Sequence, residues 1–106
     1  MKTKEEIVNS IKVVEEQKIK SVELIPADKY PNNRREHISV WIETGAGDMQ
    51  VCVYDDNSIL FGGHNGFCYP HVRNIEELNK ELPSLPHSYE ERHDMMIGIA
   101  GNIGIK

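Results

Sequence analysis

The sequence predicts an α+β domain, a four-stranded antiparallel meander with an N-terminal helix and two C-terminal helices. Three observations carry that prediction. A capping box opens an amphipathic run at the start of the chain, four short stretches rich in β-branched and aromatic residues follow at hairpin spacing, and two further helix-start signals come after them. With 106 residues, no linker and no internal repeat, residues 1–106 form a single domain with one core.

Each element has a local reason. Thr3 with Glu6 is a capping box, and Ile7, Ile11 and Val14 recur at helical spacing while Lys12, Glu15, Glu16 and Lys18 face the other way, so a helix is expected over about 4–18. From Ser21 the pattern changes to SVELIP, HISVWIET, MQVCVYDD and SILFGG, separated by the turn-rich stretches PNNRR, GAGD and DN. Ile38, Val40 and Ile42 alternate with Ser39, Trp41 and Glu43, and Val51 and Val53 alternate with Gln50, Cys52 and Tyr54. One face of the sheet should therefore pack under helices and the other carry Trp41 and Tyr54. Asn74 with Glu77 starts a short helix that Pro83 must end, because proline lacks the backbone donor and clashes with the preceding turn. Ser88 with Glu91 is a second capping box, opening a helix through Tyr89, His93, Met96, Ile97 and Ala100.

Composition removes several classes of function. Twelve Lys and Arg against seventeen Asp and Glu give a formal charge of −5, opposite to the basic face that binds a nucleic acid polymer, so no such partner is expected. No apolar run approaches the roughly 20 residues that span a bilayer, and the first ten residues lack a signal peptide's apolar core, which predicts a cytoplasmic chain with no membrane partner. Cys52 and Cys68 then read as reduced, buried thiols rather than a disulfide.

The densest functional candidate is the run from Phe61 to His71, with three glycines, three aromatics, two histidines and an asparagine in eleven residues. Glycines let backbone amides approach a ligand and aromatic faces stack on a base, so the run suits a nucleotide or another flat polar ligand. It reads equally as a glycine-rich turn whose aromatics plug the core, and it matches neither the P-loop nor the dinucleotide fingerprint. A second candidate is the start of the last helix, where Arg92, His93 and Asp94 fall in the first turns and an arginine fork can grip a phosphate. Arg92 can instead pair with Glu90, Glu91 and Asp94 on a solvated surface. Arg34 and Arg35, adjacent in a turn of an acidic chain, form a local anion patch or simply solvated charge.

Catalysis finds less support. Cys68 and His71 have C-x-x-H spacing, but no second close pair completes a zinc site and no HExxH is present, so no metal and no cofactor is expected. Cys68 near His64 or His71 and the pair Asp55-Asp56 do not assemble a catalytic constellation. Binding without turnover is the expectation, and not an enzyme.

The size, the order of elements, the loop FGGHNGFCYP and an arginine at the start of the last helix together resemble the phage-encoded nucleotide sponges, specifically the Thoeris anti-defence sponges that sequester cyclic ADP-ribose isomers. The resemblance is one of layout across most of the chain rather than of a motif. It implies uptake of a cyclic nucleotide signal, which keeps a bacterial defence effector inactive in the host cytoplasm. It also implies a homodimer or higher homo-oligomer with the ligand at a subunit interface, and uptake of cyclic oligonucleotides at a separate interface in some members. The positions here that would serve such a pocket are Phe61, Asn65 and Phe67 on the base or ribose, Asn74 as a polar partner and Arg92 on the diphosphate, with Arg34 and Arg35 at a second anionic site. Two other classes stay open: a small acidic inhibitor that binds a host effector directly through carboxylates such as Glu76, Glu77 and Glu81, and a small nucleotide hydrolase using His64, His71 or His93.

Overall fold

The computed structural model describes residues 3–27, 35–63, 68–86, 88, 90 and 91. They form a four-stranded antiparallel sheet in the order β1-β2-β3-β4, with two helices, an α+β arrangement. The strands are β1 (Lys18–Ile25), β2 (His37–Thr44), β3 (Gly47–Tyr54) and β4 (Ile59–Gly63); the helices are α1 (Lys4–Ser10) and α2 (Ile75–Glu81). The meander is the one the alternation predicts, because each strand pairs with its sequence neighbour, β2 with β3 and β3 with β4 through short turns.

Register decides which residues share a face. Val40 pairs with Val51 and Val51 with Phe61, while Ile38 pairs with Val53 and Val53 with Ile59. These rows form the inner face, and Ile7 of α1, Leu78 of α2 and the following Leu82 and Leu85 close over them as one buried cluster. The outer face carries His37, Ser39 and Trp41 from β2 against Tyr54, Cys52 and Gln50 from β3. Trp41 and Tyr54 thus stand where the alternation places them. The outer face is less exposed than alternation implies, since His37 and Ser39 are buried on it. Tyr54 packs against the His37 ring at 5.4 Å between centroids, and the Gln50 amide donates to the Ser39 hydroxyl at 2.9 Å.

The first helix is shorter than its hydrophobic spacing predicts. The capping box at Thr3 and Glu6 forms in both directions, yet α1 stops at Ser10 and β1 begins at Lys18 rather than Ser21. The reason lies on α2. Asn79 donates to the Ser10 carbonyl at 2.9 Å and accepts from the Lys12 amide at 2.8 Å, so groups that a longer helix would satisfy internally are met from outside. Gln17, itself buried, accepts from the Val14 amide at 3.1 Å and donates to the Leu82 carbonyl at 2.8 Å, fixing the connector to the same region. Val13 and Val14, stiff at χ1, give a helix little to hold against these partners.

The second helix follows its signals. The Asn74 side chain accepts from the Glu77 amide at 2.9 Å. The α-helix ends at Glu81, and Leu82–Ser84, containing Pro83, form a single 3₁₀ turn. Of the last predicted helix, the Ser88 hydroxyl accepts from the Glu91 amide at 3.0 Å; the remainder lies outside the described residues. No helix among the described residues is long and apolar enough to cross a membrane.

Candidate binding groove on the outer sheet face

Trp41 pairs with Gln50, Gln50 with Gly62, and Gly62 forms an isolated bridge with Cys68. This is one cross-sheet row on the outer face, and its third position has no side chain. The row beside it runs Ser39, Cys52, Leu60. A glycine between two side-chain-bearing neighbours leaves a depression in a pleated surface, and a groove of ≈ 340 Å³ lies there. Trp41, Gln50 and Cys52 line it from β2 and β3, Leu60, Gly62 and Gly63 from β4, and Cys68, Tyr69 and Pro70 from the segment that follows.

That segment is held against the edge of β4 by main-chain bonds. The Tyr69 amide donates to the Phe61 carbonyl and the Ile59 amide to the Arg73 carbonyl, both at 3.0 Å. The predicted glycine-rich run is therefore split by pleat. Phe61 points into the core, 4% exposed, with its ring 5.1 Å from that of Tyr69, and with Ile59 and Val72 it also borders the groove from the core side. Gly62 and Cys68 open onto the groove. Gly62 has no positive φ, so it serves by its missing side chain rather than by its backbone freedom; Gly47, at φ 115° in the β2–β3 hairpin, is the glycine needed for conformation.

Leu60 is 63% exposed, an apolar side chain standing beside the groove. Cys52 is half-buried and Cys68 exposed, and both are free thiols. Burial pushes the Cys52 thiol above its ordinary pKa, which keeps it protonated and weakly nucleophilic. Burial likewise raises the Tyr69 phenol, helped by the charge of Glu81. The groove lining is mostly apolar, with the Gln50 amide, the Trp41 indole and the Tyr69 hydroxyl as polar groups and, among the described residues, no Asp, Glu, Lys or Arg. An aromatic floor, an amide and half-buried glycine backbone suit a flat, weakly polar ring.

The other sequence candidates lie apart from it. Asn74 caps α2, with its own amide nitrogen donating to Glu77 at 3.2 Å. Arg35 pairs with Asp55 at 3.0 Å and Asp56 at 3.7 Å, and its guanidinium sits 4.7 Å above the Tyr54 ring. The Asp56 carboxyl is held below its ordinary pKa first by the Ser58 hydroxyl and then by the Ser58 amide. His71 pairs with Glu81 at 3.6 Å on the surface. Arg34, Asn65, Phe67 and Arg92 lie outside the described residues. Among the described residues no three His, Cys, Asp or Glu side chains converge on a metal position.

Sequence reasoning missed Trp41, Gln50 and Leu60 as a site. Trp41 was legible as an outer-face residue, but only the register that sets Gly62 in its row turns that face into a groove. No family model, no curated protein and no solved structure matches the chain.

Proposed function

We propose that the chain binds an intact cyclic nucleotide, of the cyclic ADP-ribose class, and sequesters it without turnover, so that a bacterial anti-phage defence effector stays inactive. The observation that supports this reading is the groove itself. Its ≈ 340 Å³ falls within the roughly 300–1,000 Å³ of small-molecule sites. The Trp41 ring and the Gln50 amide offer a face for stacking and a polar contact for a base, while Gly62 removes the side chain that would block it. Affinity is all that sequestration requires, whereas catalysis needs groups placed for a transition state.

The remaining parts of the reading come from the resemblance in layout. Arg92 meets the diphosphate, Asn65 and Phe67 complete the contacts to base and ribose, and a closing helix from Ser88 carries Arg92. The chain works in the host cytoplasm as a homodimer or higher homo-oligomer, and a cyclic oligonucleotide is a second ligand class. Phe61 contributes from beneath, as a core residue under the groove, and Asn74 through the helix it caps. Arg35 would reach an anion only by leaving Asp55 and Asp56.

The test is to incubate the purified chain with cyclic ADP-ribose isomers, remove free ligand by filtration, denature the protein by heat and identify what is released by mass spectrometry. Intact nucleotide in near-stoichiometric yield is the expected result. Recovery of a cleaved product would replace sequestration by hydrolysis. Release of nothing would favour an inhibitor that binds its effector directly.

A further inference from the structure

Gln50 stands in the wall of the groove, between Trp41 on β2 and Gly62 on β4. Among the described residues it supplies the one side-chain carbonyl of the lining. Its head is held. The amide donates to the Ser39 hydroxyl at 2.9 Å, a diagonal contact between β3 and β2. Ser39 is 4% exposed, which fixes that acceptor in place. An amide carries two N–H donors and one carbonyl, so with one donor engaged by Ser39 the carbonyl and the second donor are left over. Among the described residues the Gln50 side chain makes no other hydrogen bond. One strand further out, Glu23 of β1 is the register partner of Ser39 and shares its face of the sheet. Glu23 is exposed and pairs with no cation among the described residues.

We propose that Gln50, oriented by Ser39 and Glu23, reads an exocyclic amino group on the base held in the groove, so that the site takes adenine and rejects an oxo base such as hypoxanthine. The inference deepens the proposed function and rests on a nucleotide base lying in this groove. A hydroxyl both donates and accepts, so Ser39 alone would permit either orientation of the amide. Glu23 breaks the tie. A carboxylate only accepts, which favours the Ser39 proton on the β1 side and a lone pair toward Gln50. The same negative charge favours the N–H end of the amide dipole nearer to it and the carbonyl turned away. An amino group then donates to the Gln50 carbonyl, and a ring nitrogen beside it accepts from the second N–H, the pairing glutamine makes with adenine. An oxo group would set acceptor against acceptor, and turning the amide to receive it would bring the carbonyl toward Glu23. Because the lining carries no Asp, Glu, Lys or Arg among the described residues, selection here falls to neutral hydrogen bonds. An amide already held also loses less freedom when the base arrives.

The experiment is equilibrium dialysis of the full chain against cyclic ADP-ribose and, separately, cyclic inosine diphosphate-ribose, which differ at the amino position. The native protein should hold the adenine form at least about tenfold more tightly. Gln50→Met, close in length but without an amide, should bring that ratio near one. Ser39→Ala and Glu23→Gln, with folding checked by thermal unfolding, should lower the ratio by weakening the adenine form. Equal affinities or a preference for the hypoxanthine form in the native protein would overturn the proposal while leaving nucleotide binding intact, and that comparison needs no variant to fold. A ratio that survives Gln50→Met would assign the reading to another group and overturn it too, and a ratio unmoved by both Ser39→Ala and Glu23→Gln would overturn the orienting role. Retention of neither nucleotide would remove the proposed function and this inference with it.

Discussion

At Asn74 the side-chain oxygen takes the Glu77 amide at the first turn of α2, so its removal is first a stability experiment. Asn74→Ala should lower unfolding free energy by about 1 kcal/mol, the usual worth of an N-cap, and the protein that remains folded should still hold its ligand. Thermal unfolding beside nucleotide release checks both halves. Asp56 makes a pH-dependent contribution. Its carboxyl is held low by Ser58, so the contribution is complete above the unfolded value near 3.8 and is lost as pH falls through the lower folded value. The gap in denaturant midpoint between native protein and Ser58→Ala should therefore be present at neutral pH and close as the pH is taken well below 3.8. A gap that persists in acid would show that the hydroxyl acts otherwise. Caps and turns of this kind were legible in the sequence, because Asn74 with Glu77 and Asp56 with Ser58 bond within four residues of themselves. For Phe61 the sequence left two readings open, a ligand contact or a ring plugging the core, and its ring is buried in the core.

Among the elements, the four strands and α2 follow from local pattern, and α1 does not. The helix period continues past Ser10 in the sequence, but the carbonyl of Ser10 and the amide of Lys12 belong to Asn79, nearly seventy positions away. A local reading has no access to that partner. Asn79→Ala should cost about 1–3 kcal/mol, since two backbone groups lose their bonds at once. The loss should appear as faster hydrogen exchange over residues 8–17, with the strand amides little changed. Uniform loosening of the whole sheet would contradict the view that Asn79 acts on this connector.

On the scale of the whole molecule, one sheet keeps its two faces for different work. The inner face spends its Ile, Val and Leu on a core with α1 and α2; the outer face carries the groove. The composition, the meander and the glycine-rich run led to the expectation of a binding protein, and Gly62, Gly63 and Cys68 of that run line the groove. What made the site is the row Trp41, Gln50, Gly62, Cys68, which four separate stretches of sequence contribute and only strand register assembles. The central claim is that this row holds a nucleotide. Trp41 is the chain's single tryptophan and lines the groove, so its fluorescence reports occupancy without a label. Titration of the native protein with a cyclic ADP-ribose isomer should change Trp41 emission and saturate. Gly62→Val, whose backbone needs no positive φ and whose side chain fills the row, should keep the fold and abolish the change. An unaltered Trp41 signal in a protein that retains nucleotide, or full binding by Gly62→Val, would place the ligand elsewhere and contradict the account.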